Sequence, residues 1–106
     1  MIMEYDTTSL HYVSSKLVKK IKIKDRKYHF RVYKNCFVAS EAIDVMIRHG
    51  FVKNRKDGVA LGVALQKQLN LWNHVVDDHL FQDRYLFFRL SADVDGTAKL
   101  TDEMDF

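Results

Sequence analysis

The chain has 106 residues, and 17 lysines and arginines against 14 aspartates and glutamates give it a formal net charge of +3. This length fits a single domain. The single cysteine excludes an internal disulfide, no apolar run reaches the ~20 residues of a membrane span, and the first residues lack the pattern of a signal peptide. We therefore expect a cytoplasmic protein of one domain, since nothing indicates an oxidising compartment.

Basic residues are concentrated early in the chain. Residues 16–34 contain nine lysines and arginines and one acid, Asp25, whereas residues 93–106 carry a net charge of −4. Apolar and aromatic residues are interleaved with the basic ones, so the basic segment belongs to a folded element. Either these charges only keep one face soluble, or they form an anion-binding surface for phospholipid, an acidic protein or nucleic acid.

The first third of the chain predicts a helix followed by a β-hairpin. We expect residues 1–9 to form an irregular lead, with Thr8 or Ser9 capping the helix. Apolar residues then recur at helical spacing, namely Leu10, Val13, Leu17 and Ile21. Between residues 22 and 37, branched and aromatic residues alternate with polar ones, which is typical of strands. No glycine marks the turn, and alternation alone places it near residues 24–26.

The middle of the chain predicts two further helices. The second helix begins at Ser40 and ends at Gly50. The third helix is capped by Asn54 and closed by Asn70. Two glycines lie near its leucine stripe, Gly58 and Gly62. Because glycine weakens a helix by roughly 1 kcal/mol, these two indicate close packing against another backbone.

The last part predicts a short hairpin over residues 71–76 and 85–90, followed by a mobile acidic tail over residues 91–106. Aromatic residues in this region could form a platform for stacking bases, but filling a small core is the favoured interpretation. They are Trp72, Phe81, Tyr85, Phe87 and Phe88. The order of elements predicts an α+β fold that resembles a winged helix, with a three-helix core, a hairpin between helices 1 and 2, and a short C-terminal hairpin.

No motif for catalysis or cofactor binding is present in the sequence. It has no glycine-rich phosphate loop, no HExxH and no GxSxG. One cluster of candidate metal or acid–base residues stands out, namely His74, Asp77, Asp78 and His79. Because their spacing matches no closed metal site, we expect no metal, no cofactor and no enzyme. Cys36 lies in an apolar stretch, which indicates a small buried side chain.

One segment resembles the signature of the DEP domain, the signalling module of Dishevelled, pleckstrin and regulators of G-protein signalling. Residues 25–44 read Asp-Arg-Lys-Tyr-His-Phe-Arg-Val-Tyr-Lys-Asn-Cys-Phe-Val-Ala-Ser-Glu-Ala-Ile-Asp. Further similar residues follow in the same order, namely Asn54, Arg55, Ala60, Leu61, Gly62, His74, Val75, Phe81, Asp83 and Phe87–Arg89. The resemblance covers roughly residues 10–90.

The sequence departs from the pattern of this family at two positions. Ala39 stands where glycine is usual, and Val45 stands where tryptophan is usual. The second change removes a large aromatic side chain from the core. We expect Trp72, at a position that is more often aliphatic, to refill that volume.

The resemblance implies that the first hairpin is a projecting arm with its apex near residues 28–31. It also implies a non-catalytic targeting module that places an effector at a membrane in intracellular signal transduction. The implied partners are an anionic phospholipid surface, a membrane receptor or a signalling protein, so the protein would be cytoplasmic and would join membranes peripherally on recruitment. The candidate binding residues are Lys22, Lys24, Arg26, Lys27, His29, Phe30, Arg31 and Lys34.

Two other functions remain open. A winged-helix nucleic-acid binder would concentrate basic residues on its third helix, but residues 58–66 carry no charge. Nucleic acid is therefore the less favoured partner. The third candidate is a purely protein-binding or self-associating module, since a long arm can exchange between two copies to give a domain-swapped homodimer.

Overall fold

The computed structural model describes residues 5–91, which form three helices and a four-stranded antiparallel sheet. The helices are Thr7–Leu17 (α1), Ala39–Arg48 (α2) and Arg55–Leu69 (α3). The strands are Lys24–Tyr28 (β1), Arg31–Val38 (β2), Trp72–His74 (β3) and Phe87–Leu90 (β4). The predicted α+β class is confirmed. Of the predicted tail, residues 92–106 lie outside the described part of the chain.

Helix α1 begins earlier than the sequence predicts. Asp6 is its N-cap, and the Asp6 carboxylate accepts a hydrogen bond from the Ser9 amide at 3.1 Å. Leu17 ends the helix and is fully buried. Ile21 belongs to the same apolar stripe but lies in a bend beyond the helix, where it is still buried. The predicted apolar stripe is therefore confirmed, but Ile21, its last member, lies in the bend after the helix.

The hairpin of β1 and β2, which we call the arm, turns at His29 and Phe30. Tyr28 pairs with Arg31, so the connection has only two residues, and both have positive φ angles, 51° for His29 and 65° for Phe30. Two-residue turns of this kind match the right-handed twist of paired strands. The apex implied by the family resemblance is thus correct, and the turn inferred from alternation near residues 24–26 is wrong.

A bulge lies at the base of the arm. Between the paired positions Tyr33 and Cys36, β2 has one residue more than β1 opposite it. Asn35 in this stretch has a φ angle of 53°, and its amide donates a hydrogen bond to the Asp25 carboxylate at 3.0 Å. A bulge bends and twists the strand that carries it. Asp25 therefore holds the bend that sets the direction of the arm.

The helix ends in the middle of the chain follow the sequence closely. Helix α2 starts one residue before Ser40, and Gly50 beyond its end has a φ angle of 78°. The Asn54 side chain caps α3 by accepting a hydrogen bond from the Asp57 amide at 2.8 Å. Asn70 closes α3 in the left-handed conformation, with a φ angle of 52°. Gly50, Asn54 and Asn70 are thus confirmed, whereas Ser40 lies inside the first turn of α2, and Val38 is the N-cap.

The two glycines of α3 make room for side chains. The sequence had indicated close packing against another backbone, and this prediction is wrong. A Cβ atom at Gly58 would lie 2.8 Å from Ile43 Cγ2, and one at Gly62 would lie 2.0 Å from Phe81 Cδ2. Real Cβ atoms do not approach so closely. The packing of Phe81 from the loop after β3 against α3 therefore depends on Gly62.

An aromatic cluster fills the centre of the core. The Trp72 ring stacks on Phe81 with centroids 5.2 Å apart and lies 5.0 Å from the Phe37 ring. Trp72 Nε1 donates a hydrogen bond to the Gly62 carbonyl at 3.2 Å, which satisfies its polar atom in the interior. Phe88 completes the cluster and is fully buried. Of the five aromatic residues named from the sequence, Trp72, Phe81, Phe87 and Phe88 are buried, as the favoured interpretation predicts, whereas Tyr85 is exposed.

Val45 is half-buried and borders a groove at the surface. Trp72 is fully buried, but a groove of about 400 Å³ lies between α2 and the segment after α1, with Val45, Ile21 and Phe37 in its wall. Trp72 is therefore in the core, as expected, and its compensation for the missing aromatic side chain stays a prediction.

Strand β2 joins the arm to the C-terminal hairpin. The order of strands is β1-β2-β4-β3. The first part of β2 pairs with β1, and its end pairs with β4 through Phe37 opposite Phe88 and Val38 opposite Phe87. The hairpin of β3 and β4, which we call the wing, is therefore continuous with the arm.

Candidate interaction surface on the arm

The tip of the arm presents an aromatic side chain to solvent. Phe30 is 95% exposed, although most large apolar side chains of a small domain are needed for its core. Its positive φ angle adds a cost, because a bulky L-residue in this conformation is disfavoured by roughly 1–2 kcal/mol. Strain of this kind combined with an exposed aromatic side chain is typical of a functional element.

Most of the predicted basic residues surround this tip or lie along the arm. The exposed ones are Lys22, Lys24, Lys27, Arg31 and Lys34, and His29 is exposed beside them. Lys22 precedes β1, His29 is in the turn, and the other residues are on the two strands. These side chains lie on or beside one element but on both of its faces, since Lys27 pairs with Val32 and Arg31 pairs with Tyr28.

The arm has two different faces. Residues that pair across an antiparallel ladder point to the same side, so Lys27 and Val32 share one face. Both are exposed. The other face carries Tyr28 and Tyr33, and it turns toward the wing.

Arg26 differs from the other basic residues of the arm. Its side chain is only 8% exposed and lies 3.7 Å from the Glu41 carboxylate of α2. Its Nη2 also donates a hydrogen bond to the Lys22 carbonyl at 3.0 Å. Arg26 therefore connects the base of the arm to α2 and is turned away from the exposed basic surface.

Aromatic contacts fix the arm against the wing. The Tyr33 and Phe87 rings lie 5.4 Å apart, and Tyr28 lies 6.2 Å from Phe87 and 6.4 Å from Tyr85. An apolar groove of about 160 Å³ lies among these rings, with His74 also in its wall. The arm is therefore held in a defined direction, which a preorganised docking element requires.

A second set of contacts fixes the wing against the helices. Arg55 at the start of α3 binds both carboxylate oxygens of Asp83, at 2.6 and 2.8 Å. It also donates to Asp44 at 2.7 Å and to the Ser40 carbonyl at 2.9 Å. Hydrogen bonds from Arg55 hold the pKa of Asp83 below its ordinary value. These charge-assisted bonds join α2, α3 and the segment before β4.

The loop after β3 brings together three of the four candidate metal or acid–base residues. Asp77 Oδ1 lies 3.2 Å from His74 Nδ1 and 2.5 Å from His79 Nδ1. Asp78 is exposed and lies outside this group. Burial lowers the pKa of His74, while the Asp77 carboxylate opposes that effect. The sequence already indicates this cluster, but it could not show that Asp78 lies apart from the other three, because the loop has no period that would predict which side chains face each other.

Helix α3 offers little charge to a nucleic acid. Arg55 is bound to two carboxylates, and Lys56 and Lys67, which are exposed, lie near opposite ends of the helix. The basic residues of the arm therefore form the more concentrated positive surface. Within residues 5–91, no helix has both the length and the apolar character that a membrane span needs.

The comparison with known families decides the identity of the fold. The model of the "Domain found in Dishevelled, Egl-10, and Pleckstrin (DEP)" matches residues 20–90, which include the arm, α2, α3 and the wing. The chain belongs to the DEP family. The DEP domain is non-catalytic, and the predicted family is confirmed.

Several curated proteins contain a region similar to this DEP domain. The chain is 36% identical over 78 residues to the mouse phosphatidylinositol 3,4,5-trisphosphate-dependent Rac exchanger 1 protein. The aligned region is 72% of the chain and 5% of that protein. It is 30% identical over 97 residues to the vacuolar membrane-associated protein IML1 of Saccharomyces cerevisiae, covering 90% of the chain and 6% of that protein. It is 31% identical over 71 residues to the human 1-phosphatidylinositol 3-phosphate 5-kinase, covering 65% of the chain and 3% of that protein. The chain thus spans only about a twentieth of the length of these relatives.

Proposed function

We propose that this DEP domain targets an attached or partner effector to a membrane by docking its arm on an anionic phospholipid surface. The observation that carries the proposal is the exposed side chain of Phe30 at the tip, with basic residues on the same element. Within the cell, the domain would be cytoplasmic and would join the membrane peripherally on recruitment.

The energies of such a contact suit reversible recruitment. A lysine or arginine close to an anionic leaflet contributes about 1 kcal/mol, and this attraction decays within a Debye length. Burial of a phenylalanine side chain contributes about 1.5–3 kcal/mol. Lys27, Arg31 and Phe30 lie within five residues of one another on the distal part of the arm. Together they would give weak binding that a second interaction of the effector can reinforce.

The names of the relatives support a lipid surface over other anionic partners. One relative is a phosphatidylinositol 3,4,5-trisphosphate-dependent Rac exchanger, one is a 1-phosphatidylinositol 3-phosphate 5-kinase, and one is a vacuolar membrane-associated protein. A membrane receptor, a signalling protein and a second copy of the chain are the other partners that the arm could meet. We favour the lipid surface because an aromatic tip flanked by lysines suits the interface between headgroups and acyl chains.

Vesicle binding tests the proposal. The full chain is sedimented with neutral and with anionic vesicles, at low and at physiological ionic strength, and its binding to duplex DNA is measured in parallel. The test variant is Lys27→Gln/Arg31→Gln. The control variant, Lys56→Gln/Lys67→Gln, removes the same charge from exposed positions of α3.

We expect binding to anionic vesicles that weakens with salt. Removal of two arm charges at about 1 kcal/mol each predicts a loss of about thirtyfold in affinity, while the control variant retains most of its affinity. Equal losses in the two variants would show that only net charge matters. Tight binding to DNA without binding to vesicles would favour the nucleic-acid function instead.

A further inference from the structure

Three side chains in the loop after β3 converge on one point. One ligand atom of His74, one of Asp77 and one of His79 lie within 4.8 Å of one another. The two imidazole rings are nearly parallel, with centroids 4.8 Å apart. Asp77 Oδ1 lies between them, 3.2 Å from His74 Nδ1 and 2.5 Å from His79 Nδ1.

Hydrogen bonds within the loop fix the direction of these atoms. His74 Nδ1 accepts hydrogen bonds from the amides of Val76 at 3.2 Å and Asp77 at 3.3 Å. An imidazole nitrogen that accepts hydrogen bonds carries no proton. His74 Nδ1 and Asp77 Oδ1 are therefore two acceptor atoms 3.2 Å apart, and because Nδ1 has a single lone pair, a metal ion bound there would replace its two amide hydrogen bonds. A cation placed between them would convert this repulsive contact into an attractive one.

The donor set matches a particular class of cation. Two imidazole nitrogens and one carboxylate oxygen are ligands that zinc accepts, with bonds of about 2.0–2.2 Å. Tetrahedral bonds of that length separate neighbouring ligand atoms by about 3.3 Å, close to the distance between His74 Nδ1 and Asp77 Oδ1, which is 3.2 Å. His79 is exposed in the loop, and its ring would have to turn toward His74 to reach that spacing, because the widest separation among the three ligand atoms is 4.8 Å.

We propose that His74, Asp77 and His79 form a binding site for a divalent transition-metal ion, with zinc as its best ligand. Three protein ligands leave one position of the metal for water or for a group from a partner. The site lies on the wing, apart from the arm tip, so it goes beyond the proposed membrane function.

Metal binding at this place would stiffen the wall of the groove beside the arm. His74 lines that groove together with Val75 and Val76 of the same loop. An ion bound by both His74, at the end of β3, and His79 would cross-link the loop to its own strand through metal–ligand bonds. We therefore expect slower amide hydrogen exchange in residues 75–79 when zinc is present.

Calorimetric titration of the full chain, free of any affinity tag, with zinc chloride at neutral pH tests the site. The test variants are His79→Ala and Asp77→Asn. The control variants are Asp78→Asn, which removes the neighbouring carboxylate, and His49→Ala, which removes an exposed histidine of another loop. We expect one zinc ion per chain, and a loss of at least about tenfold in affinity for each test variant, the lower bound for even an outer-shell partner.

Three outcomes would overturn the proposal, and two of them concern the titration. One is the absence of saturable zinc binding at neutral pH. The other is binding that all four variants retain, which would place the ion elsewhere in the chain. Because His79 is exposed, its replacement leaves the fold intact, and far-UV circular dichroism verifies this. Visible absorption of the cobalt-substituted chain, unchanged in His79→Ala, would equally contradict the assignment.

Discussion

Replacing Phe30 with glycine separates the stability of the arm from its function. An L-residue at this positive φ angle costs roughly 1–2 kcal/mol, and glycine removes that cost. The greater backbone entropy that glycine loses on folding offsets about 0.5–1 kcal/mol of the gain in stability. The Phe30 side chain is 95% exposed, so little burial is lost with it. We therefore expect Phe30→Gly to raise the free energy of unfolding by about 0.5–1 kcal/mol.

The same substitution is expected to weaken binding to anionic vesicles. Loss of a phenyl group that contributes about 1.5–3 kcal/mol on insertion corresponds to about ten- to hundredfold in affinity. Phe30→Ala is the matched control, because it removes the ring and keeps the unfavourable φ angle. It should lose the same affinity without gaining stability.

Urea denaturation and vesicle sedimentation of the three proteins measure both effects. Phe30→Gly is predicted to be more stable and weaker in binding than the original chain. The reasoning would be refuted if Phe30→Gly were clearly less stable than Phe30→Ala, since the strain assigned to the tip would then be absent. Unchanged vesicle affinity in both variants would refute the role of the ring.

Further predictions concern the contacts that hold the wing. Arg55→Ala should lower the free energy of unfolding by about 1–2 kcal/mol in urea titrations, because Arg55 forms a network with several acceptors and not one surface pair; a change below about 0.3 kcal/mol would contradict this role. The stabilisation by Asp83 should be fully present above the ordinary carboxyl pKa of about 4 and be lost as the pH falls through the lower pKa of the folded state. Thermal denaturation of Asp83→Asn beside the original chain checks it, and a difference independent of pH would contradict it. Gly62→Ala should cost about 1–3 kcal/mol through overpacking against Phe81, and an unchanged melting temperature would show that the ring can move aside.

Local signals in the sequence were enough to predict the ends of the helices. Asn54, Asn70 and Gly50 act where the chain needs a cap or a left-handed residue, and these needs depend only on neighbouring residues. The position of the arm turn could not be read in the same way. His29 and Phe30 hold positive φ angles that usually call for glycine or asparagine, so only the resemblance to the family located the apex.

Features that depend on distant parts of the chain escaped the sequence analysis. Arg26 alternates with exposed residues, and only the position of Glu41 on α2 turns its side chain inward. The cluster of His74, Asp77 and His79 was indicated by the sequence, but the separation of Asp78 from it was not, because hydrogen bonds to the loop's own side chains set the path of this loop. Periodicity predicts which face a residue occupies, and it carries no information on such tertiary partners.

The membrane contact of the arm can be observed directly by fluorescence. The chain has one tryptophan, Trp72, which is fully buried and gives a constant background. In Phe30→Trp, the new indole at the tip should shift its emission to shorter wavelength with anionic vesicles and be quenched by brominated lipids, but should not respond to neutral vesicles. Binding to anionic vesicles without any change in this emission would contradict the claim that the tip of the arm enters the membrane.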